Sequence, residues 1–343
     1  MTATRILHLH FGKDGGAERF MVNLAGGLAE RGVEQRFVIR PDRIWKPEIA
    51  GHGEIIEDHF RRLSISGQIL PWRIRRMVRT WRPNAIMAWM PRASRLMSMI
   101  EAPVRLTRLG DYPRHLRHFQ KCDLLVTNTP GIAEHCRNIG WDKPLKVVSN
   151  FARQIDVHPV ARAQYDTPED AFLVGGSGRF VNRKGLDAVI RAVAQVPDAW
   201  LWLAGTGREE EGLRQLAKDV GIAERTRFLG WLDEPMHAMA STDAYLMASR
   251  HEPLGNVVLE AWHAGVPVVS TRSEGPSWFA TDEKDALMVD IDAIDQMTAA
   301  LNRIRTDRTL AANLVKGGHA TLEAGFTRQQ VVDQYLAIFR GEF

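Results

Sequence analysis

The chain is 343 residues long, 45% hydrophobic and 25% charged, the composition of an ordinary soluble globular protein of about two domains. Its two cysteines, Cys122 and Cys136, exclude a disulfide framework and read as free thiols of a reducing compartment, and the lack of any apolar run of about 18 residues excludes a spanning helix. The formal net charge of +4 is unevenly shared: residues 1–150 carry 25 Lys and Arg against 14 Asp and Glu, a net +11, whereas residues 151–343 carry 20 against 27, a net −7.

The opening ten residues have no long apolar core and are not read as a signal peptide. In the first half the spacing predicts strands at 5–9, 35–39, 54–57, 85–88, 104–106 and 124–127, with helices at 18–31, 68–81, 94–100 and 130–139. Between the first strand and helix lies Phe11-Gly12-Lys13-Asp14-Gly15-Gly16-Ala17-Glu18-Arg19, whose glycine pair Gly15-Gly16 lets backbone approach a phosphate closely. It is not the spaced fingerprint of dinucleotide-binding folds. His8, His10, His52 and His59 have no metal-ligand spacing and read as structural. Basic charge gathers in Arg61-Arg62 and in Arg73, Arg75, Arg76, Arg79 and Arg82, interleaved with Leu70, Trp72, Ile74, Met77, Val78 and Trp81. Such a helix either lies on an anionic membrane or acceptor, or is a solvated face whose arginine stems cover the core. No zinc-finger, RNP or helix-turn-helix signature points to nucleic acid.

A strand-like Lys146-Val147-Val148 leads into a polar stretch from 149 to about 167, the expected domain boundary. The second half repeats the design, with strands expected at 172–175, 201–204, 226–229, 244–247 and 267–270 and helices at 185–195, 209–220, 235–240, 255–264 and 294–305. The first strand there runs into Gly178-Arg179-Phe180-Val181-Asn182-Arg183-Lys184-Gly185, where Arg179 and Lys184 can reach the oxygens of a diphosphate. Ala204-Gly205-Thr206-Gly207 and Phe228-Leu229-Gly230-Trp231-Leu232 end two further strands, where backbone groups can read a nucleobase edge and Trp231 serves as base contact, lid or packing residue.

The densest segment is Glu252-Pro253-Leu254-Gly255-Asn256-Val257-Val258-Leu259-Glu260. Pro253 suits a helix entry, Gly255 admits a ligand to the backbone, and the N–H groups of Leu254, Gly255, Asn256 and Val257 can hold an anion. Glu260 can accept hydrogen bonds from a ribose diol and Glu252 from a second sugar. Asp290-Ile291-Asp292 spells a D-x-D but lies outside the glycine-loop set, and metal binding is not expected there. A last helix over 327–340 puts Val331, Val332, Tyr335, Leu336 and Phe339 on one stripe, suited to packing back on the first domain.

Taken together, Gly-Gly-Ala-Glu-Arg at 15–19, Gly-Arg-Phe-Val-Asn-Arg-Lys-Gly at 178–185, Ala-Gly-Thr-Gly at 204–207, Phe-Leu-Gly-Trp at 228–231, the Glu252/Glu260 segment and Ala-Gly-Val-Pro-Val-Val-Ser-Thr at 264–271 resemble the retaining glycosyltransferases of family 4, of the GT-B superfamily. The resemblance runs over nearly the whole chain. It implies an α/β fold of two doubly wound Rossmann-like domains facing across a cleft: 1–150 with 327–343 binding acceptor, and 151–326 binding a nucleotide sugar. It implies that Glu260 binds ribose, Glu252 the donor sugar, and Arg179, Lys184 and the backbone of 254–257 the diphosphate, while Gly15 and Gly16 close on that phosphate. Many members carry a first-domain histidine against the donor sugar; here the region reads Arg108-Leu109-Gly110-Asp111-Tyr112-Pro113, and Asp111 is the candidate for its place.

The resulting expectation is a retaining glycosyltransferase with no permanently bound cofactor and no metal. Its donor is a nucleoside diphosphate sugar, UDP-sugar favoured over GDP- or ADP-sugar. Its acceptor is a glycan or lipid-linked precursor of lipopolysaccharide type. Cytoplasmic placement, peripheral on the inner face of the membrane, goes with that reading. A sugar-nucleotide epimerase and a non-catalytic nucleotide-sugar-binding subunit are the alternatives.

Overall fold

The computed structural model describes residues 3–13, 15–60 and 65–343, so that Asp14 and the Arg61–Arg62 pair lie outside the described residues. The chain divides into two compact units, Met1–Phe151 with Arg328–Phe343, and Ala152–Thr327. In the first unit β1 (Arg5–His10), α1 (Gly16–Glu30), β2 (Glu34–Ile39), α2 (Lys46–Ala50), β3 (Gly53–Glu57), α3 (Ile65–Trp81), β4 (Ala85–Trp89), α4 (Met90–Ser94), β5 (Val104–Leu109), β6 (Leu124–Thr127), α5 (Pro130–Asn138) and β7 (Leu145–Val147) follow one another. The second unit runs β8 (Leu173–Ser177), α6 (Leu186–Ala194), β9 (Trp200–Ala204), α7 (Glu210–Asp219), β10 (Thr226–Gly230), α8 (Pro235–Met239), β11 (Ala244–Met247), α9 (Asn256–His263), β12 (Val268–Thr271), α10 (Pro276–Phe279), β13 (Leu287–Val289), α11 (Ile294–Thr306) and α12 (Arg308–Gly325). A final helix, α13 (Arg328–Phe339), returns to the first unit.

Every strand pair is parallel among the described residues, in the orders β3-β2-β1-β4-β5-β6-β7 and β10-β9-β8-β11-β12-β13. This is the expected doubly wound α/β class. Parallel strands need helical crossovers, and helices on both faces bury the sheet. The central strands are accordingly buried without alternation, as in Ala85–Trp89 and Ala244–Met247. Val331, Val332, Tyr335, Leu336 and Phe339 of α13 are buried with Phe20, Leu24 and Leu28 of α1, so the apolar stripe of the last helix completes one face of the first unit's core.

Besides the short helices α2 and α10, for which the spacing gives no sign, three elements differ from the expectations. The segment expected as one helix over 94–100 is α4 followed by a 3-10 turn at Arg95–Met99, and Ser94 Oγ donates to the Met90 carbonyl at 3.0 Å, a back-bond that bends a helix. Residues 104–109 form a longer strand than expected, because Arg108 is buried with the apolar positions around it. Helix α12 was not expected at all, because Gly317-Gly318 interrupts its pattern; a Cβ at Gly318 would collide with the Trp262 indole.

Candidate functional site

In each sheet the strand order reverses beside the first strand, between β1 and β4 and between β8 and β11. Ligands of open α/β sheets bind beyond the carboxyl ends of the strands at such a switch point. In the second unit this rule brings together the loop after β8, which carries Arg179 and Lys184, and the loop after β11, which carries Glu252 and leads into α9.

The loop after β8 closes with a 3-10 turn at Asn182–Lys184 and a left-handed Gly185 (φ 64°), the N-cap of α6. Glycine is required there twice over, since a Cβ would also collide with the Ala248 carbonyl. The turn is tied to the second loop by Arg250. Its backbone N–H donates to the Arg183 carbonyl at 2.9 Å, and its guanidinium binds the Asn182 carbonyl at 2.7 Å and the Asp187 and Asp292 carboxylates. These two carboxylates hold the Arg250 guanidinium above its ordinary pKa. The D-x-D pair is thus engaged by arginine at Asp292, while Asp290 binds Gln296.

So positioned, Lys184 Nζ donates to Glu252 Oε2 at 2.5 Å, and Ser249 Oγ donates to the same oxygen at 3.2 Å. The two charged side chains are 17% and 12% exposed, dry enough for the pair to matter and open enough for a ligand. Arg179 is exposed on the same loop, and its guanidinium makes no hydrogen bond or ion pair among the described residues. Glu252 is braced from behind: its N–H donates to Glu274 Oε2 at 3.0 Å, and Gly275 N–H donates to the Glu252 carbonyl at 2.8 Å. Burial opposes ionisation of Glu274, but the amides of Glu274 and Glu252 and the His251 ring, 2.7 Å from Oε1, offset it and lower its pKa.

Gly255 caps α9 in a left-handed conformation (φ 95°), a turn that glycine makes without strain. Leu254 is buried and offers a ligand only its backbone, while Asn256, Val257 and Glu260 are half-buried on the first turns of α9. Tyr245, beneath them, shares a hydrogen bond of 2.7 Å with Ser177. Burial pushes its phenol up; the Ser177 bond opposes this, and the Glu260 and Glu252 charges reinforce it. Both carboxylates are therefore electrostatic neighbours of one buried hydroxyl.

Further along the strand ends a recess of about 240 Å³, including its open mouth, is bordered by Ser177, Ala204, Leu229, Pro235, Ala238 and Tyr245. Trp231 is 54% exposed just beyond β10, with its indole N–H 3.3 Å from Asp233, and Leu232 packs nearby with Leu229 and Trp202. Gly205 lies against the Gly178 carbonyl, so its missing side chain serves the packing of two loops. Tyr245, Ser249 and Glu274 were missed in the sequence. Tyr245 reads there as one more strand residue; Glu274 had a faint signal in the Ser-Glu-Gly-Pro turn at 273–276.

In the first unit Gly15 and Gly16 begin α1, and Glu18 in its first turn is buried beside them. His10, read as structural, has Nε2 3.6 Å from Glu18 Oε1, and its Nδ1 accepts the Gly12 N–H at 3.1 Å. Burial, and after it the His8 and Arg108 charges, lowers its pKa to about 3. Arg108 is fully buried, bonded to Asn150 and 4.7 Å from the Phe20 ring centre. Asp111 is exposed past the end of β5, its Oδ1 accepting the Tyr112 N–H at 2.8 Å. Arg73, Arg75, Arg76 and Arg79 are exposed on α3. The two cysteines are buried, and burial pushes both thiols up to about 11. No helix among the described residues is long and apolar enough to cross a membrane.

The sequence profile described as "Glycosyl transferases group 1" matches residues 158–321. The chain is 48% identical over 334 residues to the lipopolysaccharide core biosynthesis glycosyltransferase LpsE of Rhizobium meliloti (strain 1021), covering 97% of this chain and 98% of that protein. It is 46% identical over 335 residues to LpsD of the same strain, a protein of the same description, covering 98% of each. In fold it is similar to Anabaena Alr3699/HepE, solved in complex with UDP and glucose, with a TM-score of 0.84 at 20% identity, covering 98% of this chain and 100% of that one.

Proposed function

The chain belongs to the group 1 glycosyltransferases, and we propose that it moves a sugar from a nucleoside diphosphate sugar to a lipopolysaccharide core acceptor with retention of configuration. The observation that carries this reading is the meeting of Lys184, Glu252 and the start of α9 beyond the β8/β11 switch point. The descriptions of the two Rhizobium relatives support the acceptor.

In this reading Glu260 accepts from the ribose hydroxyls and Glu252 from the donor sugar. Arg179, Lys184 and the amides of residues 254–257 hold the diphosphate. A lysine has three N–H donors, so Lys184 can keep Glu252 in place while it binds a phosphate oxygen. The base lies toward the recess, where the ends of β9 and β10 offer Gly205, Trp231 and Leu232. A UDP-sugar is the favoured donor. The acceptor is assigned to the basic first unit, which also carries Gly15, Gly16 and Asp111.

As the bond from the anomeric carbon to the diphosphate oxygen breaks, positive charge grows on the sugar ring and negative charge on the leaving oxygen. Cations and helix amides already aimed at that oxygen stabilise the transition state more than the ground state. The departing phosphate oxygen takes the proton of the attacking acceptor hydroxyl, which enters on the same face. Two cations and the α9 amides take the place that a divalent ion fills in other sugar-nucleotide enzymes, so transfer should survive chelation.

Thermal unfolding with UDP, GDP, ADP and their sugars tests the donor assignment, since a ligand that binds only the folded state raises the melting point. A rise with a UDP-sugar that is lost in Glu260→Ala is expected. No rise with any nucleotide, or interconversion of the free UDP-sugar without acceptor, would replace this reading.

A further inference from the structure

On the reading of this corner as the donor site, we propose that Ser177 is a further donor-binding residue, its hydroxyl donating to the nucleoside part of the nucleotide sugar, and that the buried Tyr245 phenol positions it. Ser177 ends β8 beside the switch point and is half-buried, while Tyr245, on the neighbouring strand β11, is fully buried. In the ladder Tyr245 pairs with Gly175. A Cβ at Gly175 would press on the Tyr245 ring at 3.3 Å and on Thr242 at 2.9 Å. Glycine thus leaves room for the ring against β8, and the phenol reaches Oγ of Ser177, on the same face of the strand as residue 175, at 2.7 Å.

A hydroxyl has one hydrogen to give and two lone pairs to offer. Among the described residues the Tyr245 phenol has no hydrogen-bond partner but Ser177, and a fully buried O–H has to be placed in a bond. Burial, reinforced by the charges of Glu260 and Glu252, keeps the phenol protonated. Tyr245 therefore donates to Ser177, and the Ser177 O–H, polarised by that bond, is left for a ligand. The surroundings point to which ligand. Four side chains on the recess wall carry an N–H or O–H: Ser177, Trp202, Thr242 and Tyr245. Thr242 donates to the Met239 carbonyl at 2.7 Å and the Trp202 indole to Thr167 at 2.9 Å. Ser177 alone of the four has a hydrogen to spare, and the phenol behind it lies in the field of Glu260, the carboxylate assigned to ribose. An acceptor oxygen of the ribose or base fits that hydroxyl, whereas the diphosphate has its donors at Arg179, Lys184 and the α9 amides.

Calorimetry on the full chain with UDP, and with inorganic pyrophosphate, which lacks the nucleoside, tests the assignment. Ser177→Ala should raise the Kd for UDP about five- to tenfold, the worth of one neutral hydrogen bond, and change the Kd for pyrophosphate by less than about twofold. Tyr245→Phe should raise the Kd for UDP about threefold, and the double variant should bind no more weakly than Ser177→Ala, because the phenol acts through the serine. In transfer assays the loss should fall on the KM for the donor rather than on kcat. Ser177→Ala, which removes one half-buried oxygen, decides the outcome where Tyr245→Phe does not fold. An unchanged Kd for UDP in Ser177→Ala, an equal loss with pyrophosphate, or losses that add in the double variant would overturn the assignment. A wild type that does not bind UDP removes the donor reading and the role of Ser177 with it. UDP binding that Ser177→Ala does not weaken removes the role of Ser177 alone.

Discussion

In the proposed reading the contact between Lys184 and Glu252 serves both folding and chemistry. Glu252 is mostly buried, and its charge is tolerable there because Lys184 and Ser249 meet the same oxygen. Removing the lysine leaves the carboxylate without its cation and, in that reading, the leaving group without one of two positive charges. Lys184→Ala should therefore lower turnover at saturating donor about 10- to 100-fold, the worth of one charge-assisted hydrogen bond made in the transition state. Steady-state kinetics with unchanged kcat would remove Lys184 from the site. Glu260→Ala should instead weaken donor binding, raising Kd about tenfold or more with kcat less affected, as calorimetry with UDP can read.

Also at the residue scale, His8 and His10 are buried neutral, their pKa values lowered mainly by burial from 6.5 to about 4 and about 3. Unfolding lets both take a proton below about pH 6.5. Their contribution to stability is complete above that pH and is lost as pH falls toward 4 and 3. Around pH 5 the two together should give a slope of about 2–3 kcal/mol per pH unit. Urea titrations between pH 4.5 and 6 should show His10→Gln removing about half of that slope; an unchanged slope would mean that His10 is charged in the folded protein. The sequence reads both residues as structural; the structure adds that His8 hydrogen-bonds Gln35 at 3.1 Å and that the neutral His10 ring lies 3.6 Å from Glu18. Spacing along a strand says nothing of which loop folds over it.

At the scale of elements, the alternation of apolar runs with helical patterns was enough to foresee most strands and the doubly wound class. The sequence singles out Lys184 and Glu252 but not their pairing, because it depends on β8 and β11, distant in sequence, being neighbours in the sheet. Tyr245 and Glu274 were missed for the same reason: each matters through a tertiary contact. Helix α12 was missed for a local one. Glycine in a helix interior costs about 1 kcal/mol against alanine, so a Gly-Gly pair reads as a break. Here Gly318 gives the space into which Trp262 of α9 packs. Gly318→Ala should lower the melting point despite its better propensity, since the fully buried indole cannot yield and overpacking costs about 1–3 kcal/mol. A higher melting point would show that Trp262 has room to move.

For the whole molecule, the proposed reading ties the charge division between the two halves to a division of labour. In that reading the second unit, net acidic in sequence, directs its few well-placed cations at one anion, while it pairs many others, as with Arg250 and Arg303. The first unit carries its surplus on an open face. The central claim is that the Lys184–Glu252 corner transfers sugar from a nucleotide donor without a divalent ion. Its most direct measurement is transfer of label from a UDP-sugar to core-truncated lipopolysaccharide, with chelator present, by the wild type and by Glu252→Gln. Label in the glycan with the wild type, and its loss by more than about a hundredfold in the variant, is the predicted result. Equal transfer by both proteins, or transfer abolished by chelator and restored by magnesium or manganese, would contradict it.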